Sequence, residues 1–169
     1  MDSRRLKKRL YIDMDGVLCD YKDSYSRNLN LYPSQPYPQS QFGFFLELKP
    51  IENSLESVKI LEDFFDVWIL TRPSVYNLSC YTEKAQWIRK YLGIEMQAKT
   101  IFCTDKSLLK GQFLVDDQIE HGQTQFEGLH ILFGGEEFPD WNKVVTYLIE
   151  NKDFIQRSNY TSDELYWGC

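Results

Sequence analysis

The 169-residue chain has room for one ordinary domain and a small inserted lobe, and with 43% apolar and 26% charged residues it can pack a core and is not disordered throughout. A net charge of -6 and a pI near 5.0 argue against a long nucleic-acid partner, which a basic face would hold. No stretch is apolar for long enough to cross a membrane, and no apolar run of signal-peptide length precedes Asp13, so a cytoplasmic protein without membrane partners is expected.

The chain opens on a basic run, Arg4, Arg5, Lys7, Lys8 and Arg9, read as a solvated lead-in to the first strand. That strand is Leu10-Tyr11-Ile12-Asp13-Met14-Asp15, stopped by a turn at Gly16. From Cys19 to Asn53 no strand pattern is visible, and Tyr32-Pro33-Ser34-Gln35-Pro36-Tyr37-Pro38 is dense in proline and aromatics. A connection this long predicts a lid over the carboxyl edge of a sheet. Leu55, Val58, Leu61 and Phe65 then recur at helical spacing.

Val67-Trp68-Ile69-Leu70-Thr71 reads as the second strand, stopped by Arg72-Pro73. Tyr81, Ala85, Ile88 and Leu92 mark a helix that Gly93 should end. Thr100-Ile101-Phe102-Cys103-Thr104, Phe113-Leu114-Val115-Asp116-Asp117 and Leu129-His130-Ile131-Leu132-Phe133 supply three more strands. Trp141, Val144, Val145 and Leu148 mark a last helix, opening at Pro139. The cysteines Cys19, Cys80, Cys103 and Cys169 form no CxxC pair, which argues against zinc and against a disulfide framework. Without a secretion signal, the glycosylation triplets at Asn77 and Asn159 read as chance.

Nearly continuous apolar strands alternating with helices predict an α/β fold with a parallel sheet and helices on both faces. In such sheets the site lies beyond the carboxyl ends of the strands. There the chain places Asp13 and Asp15, then Thr71 and Arg72, then Lys106, then Asp116 and Asp117. Paired acids at two strand ends would repel in one cleft unless a cation neutralised them. Oxygen ligands without His or Cys point to magnesium.

Asp13-Met14-Asp15-Gly16-Val17-Leu18, Thr71, Lys106 and Asp116-Asp117 resemble, in order, the four signatures of the haloacid dehalogenase-like superfamily. Gly43-Phe44-Phe45, Leu48-Lys49-Pro50, Glu83-Lys84-Ala85-Gln86-Trp87-Ile88, Tyr91-Leu92-Gly93 and Thr104-Asp105-Lys106-Ser107 are similar to the 5'(3')-deoxyribonucleotidase family. The resemblance implies a three-layer Rossmann-like sandwich with a small cap after the first strand. It divides the chain into a core (1–18 and 54–151), a cap (19–53) and a tail (152–169).

It also implies a magnesium-dependent phosphomonoesterase acting on small nucleotides. Asp13 would be the nucleophile and Asp15 the acid and base. Thr71, Arg72 and Lys106 would hold the phosphate, with Lys110 competing with Lys106. Asp13, Asp15 (through its carbonyl) and Asp116 would hold the metal, with Asp117 behind them or the two acids' roles exchanged. Phe44 and Phe45 are the candidate base pocket. Three features depart from the animal enzymes of that family: the cap is shorter, Arg72 stands where a small residue is usual, and Gln118 stands where a basic one is common. Another small phosphoester, a nucleic-acid 3'-phosphate, or a silent phosphate-binding regulator are the competing readings.

Overall fold

The computed structural model describes residues 7–153. Arg4, Arg5, Asn159, Cys169 and residues 154–169 of the expected tail lie outside the described residues. The strands are β1 (Lys8–Ile12), β2 (Phe65–Thr71), β3 (Thr100–Phe102), β4 (Phe113–Asp116) and β5 (Leu129–Leu132). The helices are α1 (Tyr21–Leu31), α2 (Ser54–Glu62), α3 (Cys80–Ala98) and α4 (Trp141–Glu150). The strands form one parallel sheet in the order β3-β2-β1-β4-β5.

This order follows from the connections. β1 to β2 to β3 steps outward in one direction, and right-handed crossovers put α2 and α3 on the same face. The chain then returns past β1 to lay down β4 and β5, so the direction reverses beside β1. Such a reversal opens a crevice at the carboxyl end of the strands.

Alternation along β1 divides the core. Leu10 pairs in register with Val67 and Phe113, and Ile12 with Ile69 and Val115. All six are buried in the main core, with Val58 and Leu61 of α2, Trp87 and Ile88 of α3, and Trp141, Val144 and Leu148 of α4. Burying each aliphatic side chain contributes about 1.5–3 kcal/mol. Tyr11 points the other way, into a smaller cluster with Leu70, Leu114 and Phe126. The α/β class and the parallel sheet are as expected, but α-helices supply the main core on one face only. The connections from β3 to β4 and from β4 to β5 carry only short 3-10 turns, at Lys106–Leu108 and Gln123–Gln125.

Three local expectations change. Phe65 opens β2 instead of closing α2, because its register with Lys8 draws it into the sheet. Gly93, at φ +88°, leaves helical geometry as expected and ends the first helical segment of α3, and a second segment runs on to Ala98. Within α3 the inward face carries Glu83, Lys84, Trp87 and Ile88, whereas Tyr81 is half exposed. Asp140, not Pro139, caps α4, its side chain accepting the Lys143 N–H at 3.0 Å.

The sequence pattern assigns no element over residues 19–53, where the structure has α1. The Asp20 carboxylate accepts from Ser24 Oγ at 2.9 Å and from the Lys49 N–H at 3.2 Å, tying the two ends of this segment together. From α1, Tyr21 packs against Phe44 and Phe45 in the main core and Tyr25 packs beside Tyr21. The segment therefore shares the core of the sheet domain. Lys7 donates to the Glu62 carbonyl and Arg9 pairs with Asp66, so these two members of the basic run are engaged at the foot of the sheet. Among the described residues no helix is long and apolar enough to cross a membrane.

Candidate active site

The site is built on the turn that follows β1. The Asp13 N–H still bonds across the sheet to the Val115 carbonyl at 2.9 Å. Then Leu18 and Cys19 both donate N–H groups to the Met14 carbonyl, at 2.9 and 3.1 Å, and close a tight loop. Trp141 Nε1 and Ser54 Oγ hold the Val17 and Leu18 carbonyls from α4 and α2. Gly16 sits at φ +77°, and a Cβ there would meet Asp117 Oδ2 at 2.4 Å. Glycine is required both by the turn and by the approach of that carboxylate.

Asp13, Asp116 and Asp117 offer one oxygen each, all within 4.8 Å of one another. Lys106, brought in by the turn after β3, is buried between them. Its Nζ bonds Asp116 Oδ2 and lies 2.9 Å from Asp13 Oδ1. The second contact is a buried ion pair, and among the described residues no other donor reaches Asp13 Oδ1. Asp116 Oδ1 is taken by the Gln118 N–H at 2.9 Å and by Gln123 Nε2 at 3.2 Å. Asp117 Oδ2 accepts from Gln118 Nε2 and pairs at 2.8 Å with Lys22 Nζ of α1, a side chain 71% exposed.

Three converging carboxylates, with one buried oxygen met by no donor but Lys106, make an all-oxygen donor set that fits a hard divalent cation such as magnesium. Burial pushes the Asp116 carboxyl up, and neighbouring Asp13 adds to it against the pull of Lys106. Burial works against the Lys106 ammonium, but Asp13 and Asp116 outweigh it and hold it charged. Asp15 is likewise pushed up by burial, with Lys84 opposing and Asp13 adding.

These groups line a cleft of about 350 Å³. Arg72, Lys22 and His121 stand around it, and Phe45 forms part of its wall. Arg72 Nη1 lies 2.6 Å from His121 Nε2. A guanidinium can only donate, so Nε2 accepts and the imidazole proton belongs on Nδ1. Tyr76 on the wall stacks on Tyr37 of the 19–53 segment, with ring centroids 4.5 Å apart.

Of the residues expected from sequence, the cleft brings together Asp13, Asp15, Arg72, Lys106, Asp116, Asp117 and Phe45. Thr71 lies beneath it, fully buried, its Oγ1 accepting from Lys84 Nζ at 2.9 Å. Phe44 is packed behind Phe45 and lines a separate groove with Phe42 and Leu31. Lys110 stays at the surface beside Glu127, so the competition with Lys106 falls to Lys106. Sequence reasoning missed Lys22, His121, Gln123 and Lys84. Lys84 was detectable, since it shares one helical face with Trp87, Ile88 and Tyr91, where a lysine needs a buried partner.

The chain is similar to known proteins over most of its length. Residues 35–145 match the family described as 5' nucleotidase, deoxy (pyrimidine), cytosolic type C protein. A Vibrio phage KVP40 protein assigned to the 5'(3')-deoxyribonucleotidases is 35% identical, over 86% of this chain and 88% of its own length. The cytosolic-type 5'(3')-deoxyribonucleotidase of Homo sapiens is 26% identical, over 87% of this chain and 83% of its own length. The 5'(3')-deoxyribonucleotidase of Bacillus subtilis is 24% identical, over 90% of this chain and 98% of its own length.

Proposed function

The chain belongs to the 5'(3')-deoxyribonucleotidase family, and from that premise we propose that it hydrolyses nucleoside monophosphates through a phosphorylated Asp13. The observation that carries the reading is the state of Asp13: a buried carboxylate on the cleft floor, ion-paired to Lys106 at 2.9 Å and converging with Asp116 and Asp117. A carboxylate held in this way is poised as a nucleophile.

In the first half-reaction an Asp13 oxygen forms a bond to phosphorus as the ester P–O bond breaks. Asp15 gives its proton to the departing alcohol oxygen. In the second, water attacks phosphorus and its proton passes to Asp15. The bond from phosphorus to Asp13 breaks, releasing orthophosphate and restoring both side chains. Lys106 offsets negative charge on Asp13 and on the phosphoryl group throughout. Arg72, which lines the cleft, would grip a phosphoryl oxygen. Thr71 would act from beneath, through Lys84 and the end of β2.

Asp13 and Asp117, with the Asp15 carbonyl, would hold magnesium. When bound, the ion neutralises the acids and stabilises charge on the transferring group. This exchanges the roles expected for the acid pair. Both Asp116 oxygens are committed to protein donors, chiefly Lys106, whereas Asp117 is paired with an exposed lysine that can withdraw. The reading places the protein in the cytoplasm among small nucleotides.

The test is phosphate release across deoxy- and ribonucleoside monophosphates, sugar phosphates and 3'-phosphorylated oligonucleotides, with Asp13→Asn beside the wild type. Nucleotides should be the better substrates. Asp13→Asn should lose on the order of a thousandfold or more in rate with its circular dichroism unchanged. Sugar phosphates outperforming every nucleotide would remove the nucleotidase reading and leave the phosphatase. An active Asp13→Asn would remove the mechanism.

A further inference from the structure

Lys84 enters the site from α3 and is fully buried, with 0% of its side chain exposed. An ammonium has three N–H donors. Here they reach Asp15 Oδ2 at 2.8 Å, Thr71 Oγ1 at 2.9 Å and the Arg72 carbonyl at 2.6 Å. Its charge lies 4.9 Å from the centroid of the Phe45 ring. Burying an ammonium costs several kcal/mol even when it is paired, and a methionine of similar length would fill the space without that cost. Stability alone therefore does not account for a lysine at this position.

What the lysine does is visible in its acceptors. Asp15 belongs to the turn after β1, whereas Thr71 and Arg72 end β2. One ammonium fixes the two strand ends to each other at the level of the cleft floor. It also takes one particular oxygen of Asp15. Oδ2 is held by Lys84, while Oδ1 has only the weak Cys19 Sγ contact at 3.9 Å. Asp15 lines the cleft, so Oδ1 is left to exchange a proton with a leaving group or with water.

We propose that Lys84 is the positioning residue for Asp15, fixing its rotamer so that Oδ1 meets the leaving oxygen. The inference rests on the phosphatase reading given above. Lys84 touches neither phosphate nor leaving group and acts through Asp15.

A positioning role predicts a selective defect. An alkyl leaving group needs a proton from Asp15, whereas p-nitrophenolate departs without one. The experiment measures kcat/KM, which reports the first half-reaction and not the shared hydrolysis of phosphorylated Asp13, on p-nitrophenyl phosphate and on the alkyl phosphate that the wild type turns over best. The proteins are the wild type, Lys84→Gln and Asp15→Asn. Lys84→Gln should lose on the order of a hundredfold in kcat/KM on the alkyl phosphate and only a few-fold on the aryl one. Its kcat should fall on both substrates, because hydrolysis of the phosphorylated enzyme also needs Asp15. The ratio of the two rates does not depend on how much of the sample is folded, so it can be read in a poorly folding variant. Lys84→Met serves as the second variant. Wild-type ratios in Lys84→Gln and Lys84→Met, with a collapsed ratio in Asp15→Asn, would overturn the role of Lys84 and leave the acid–base reading standing. A wild-type ratio in Asp15→Asn as well would overturn both.

Discussion

The carboxylate of Glu83 accepts the backbone N–H of Phe45 at 3.1 Å with one oxygen and that of Gly43 at 2.9 Å with the other. Glu83 is buried, and Asn77 Nδ2 approaches both oxygens at 3.5 Å. A helix residue thus satisfies two orphan N–H groups of the 19–53 segment with a charged acceptor, and this fixes where Phe45 meets the cleft. Charge-assisted bonds of this kind are each worth about 1.5–3 kcal/mol. Glu83→Ala leaves both donors buried and unpaired, so it should cost about 3–5 kcal/mol in a denaturant titration. Glu83→Gln retains one acceptor oxygen and should cost less. A loss under 1 kcal/mol in Glu83→Ala would show that this segment is held by its apolar contacts alone.

Asp116 and Asp117 are neighbours with different partners, and their variants should differ accordingly. Activity should vanish in excess chelator after metal removal and return with magnesium. Calcium should restore it poorly, because it favours more ligands and longer bonds. Asp117→Ala should raise the magnesium concentration needed for half-maximal rate by about tenfold or more, with little change in stability. Asp116→Ala leaves Lys106 facing Asp13 alone and should cost several kcal/mol of stability, about 3–5 for a broken buried pair. Its magnesium requirement should shift less. The reverse order of metal requirements would return Asp116 to the metal.

The positions of the acids were legible because strand ends in a parallel sheet are fixed by short apolar runs, and Asp13 and the Asp116-Asp117 pair each follow one directly. The division of labour between Asp116 and Asp117 was not. It depends on which side chain meets Lys106 and Gln123, and both arrive from irregular turns with no periodic signal. The face of α3 was legible only in part for a related reason. Ile88 and Leu92 do pack in the core, but Tyr81 fits the same spacing and is half exposed, and the buried Glu83 and Lys84 look like surface charges until their partners from other elements are seen. α1 was hidden because its core contacts come from Tyr21 and Tyr25 alone, with a polar remainder.

At the opposite end of β2, Asp66 gathers Lys99 Nζ at 2.8 Å, Trp68 Nε1 at 2.9 Å and Arg9 Nε at 3.3 Å. Partial burial works against its charge, but the hydrogen bonds from Lys99 and Trp68, with Arg9, outweigh it and hold its carboxyl below the ordinary value. A depressed folded value means that the charged form is favoured by folding. The stabilisation is complete above the unfolded carboxylate pKa of about 3.9 and is lost as pH falls through the folded value. Exposure of the partners limits it to about 0.5–1 kcal/mol. Asp66→Asn should therefore lower the urea midpoint at pH 7, and wild type and variant should converge as the pH is taken below the carboxylate range. An unchanged gap at low pH would mean that packing, not charge, makes the difference.

Phe44 and Phe45 pack edge to face with ring centroids 5.2 Å apart, yet only Phe45 forms part of the cleft wall. Both are buried in the main core, so truncating either should destabilise the fold. Leucine is the better probe, because it keeps most of the volume and limits the loss to about 1–2 kcal/mol. A ring that meets a base contributes about 1–3 kcal/mol of stacking. Phe45→Leu should therefore raise KM for nucleoside monophosphates by about fivefold or more while leaving p-nitrophenyl phosphate nearly unaffected, since that substrate reaches less of the wall. Phe44→Leu should lower the melting temperature by a similar amount and leave both KM values within about twofold of wild type. Steady-state kinetics on the two substrates, read beside the melting curves, separates a wall residue from the support behind it. Equal KM effects of the two variants on the nucleotide would show that the base does not rest on Phe45, and Tyr76, stacked on Tyr37 at the same cleft, would be the next ring to vary.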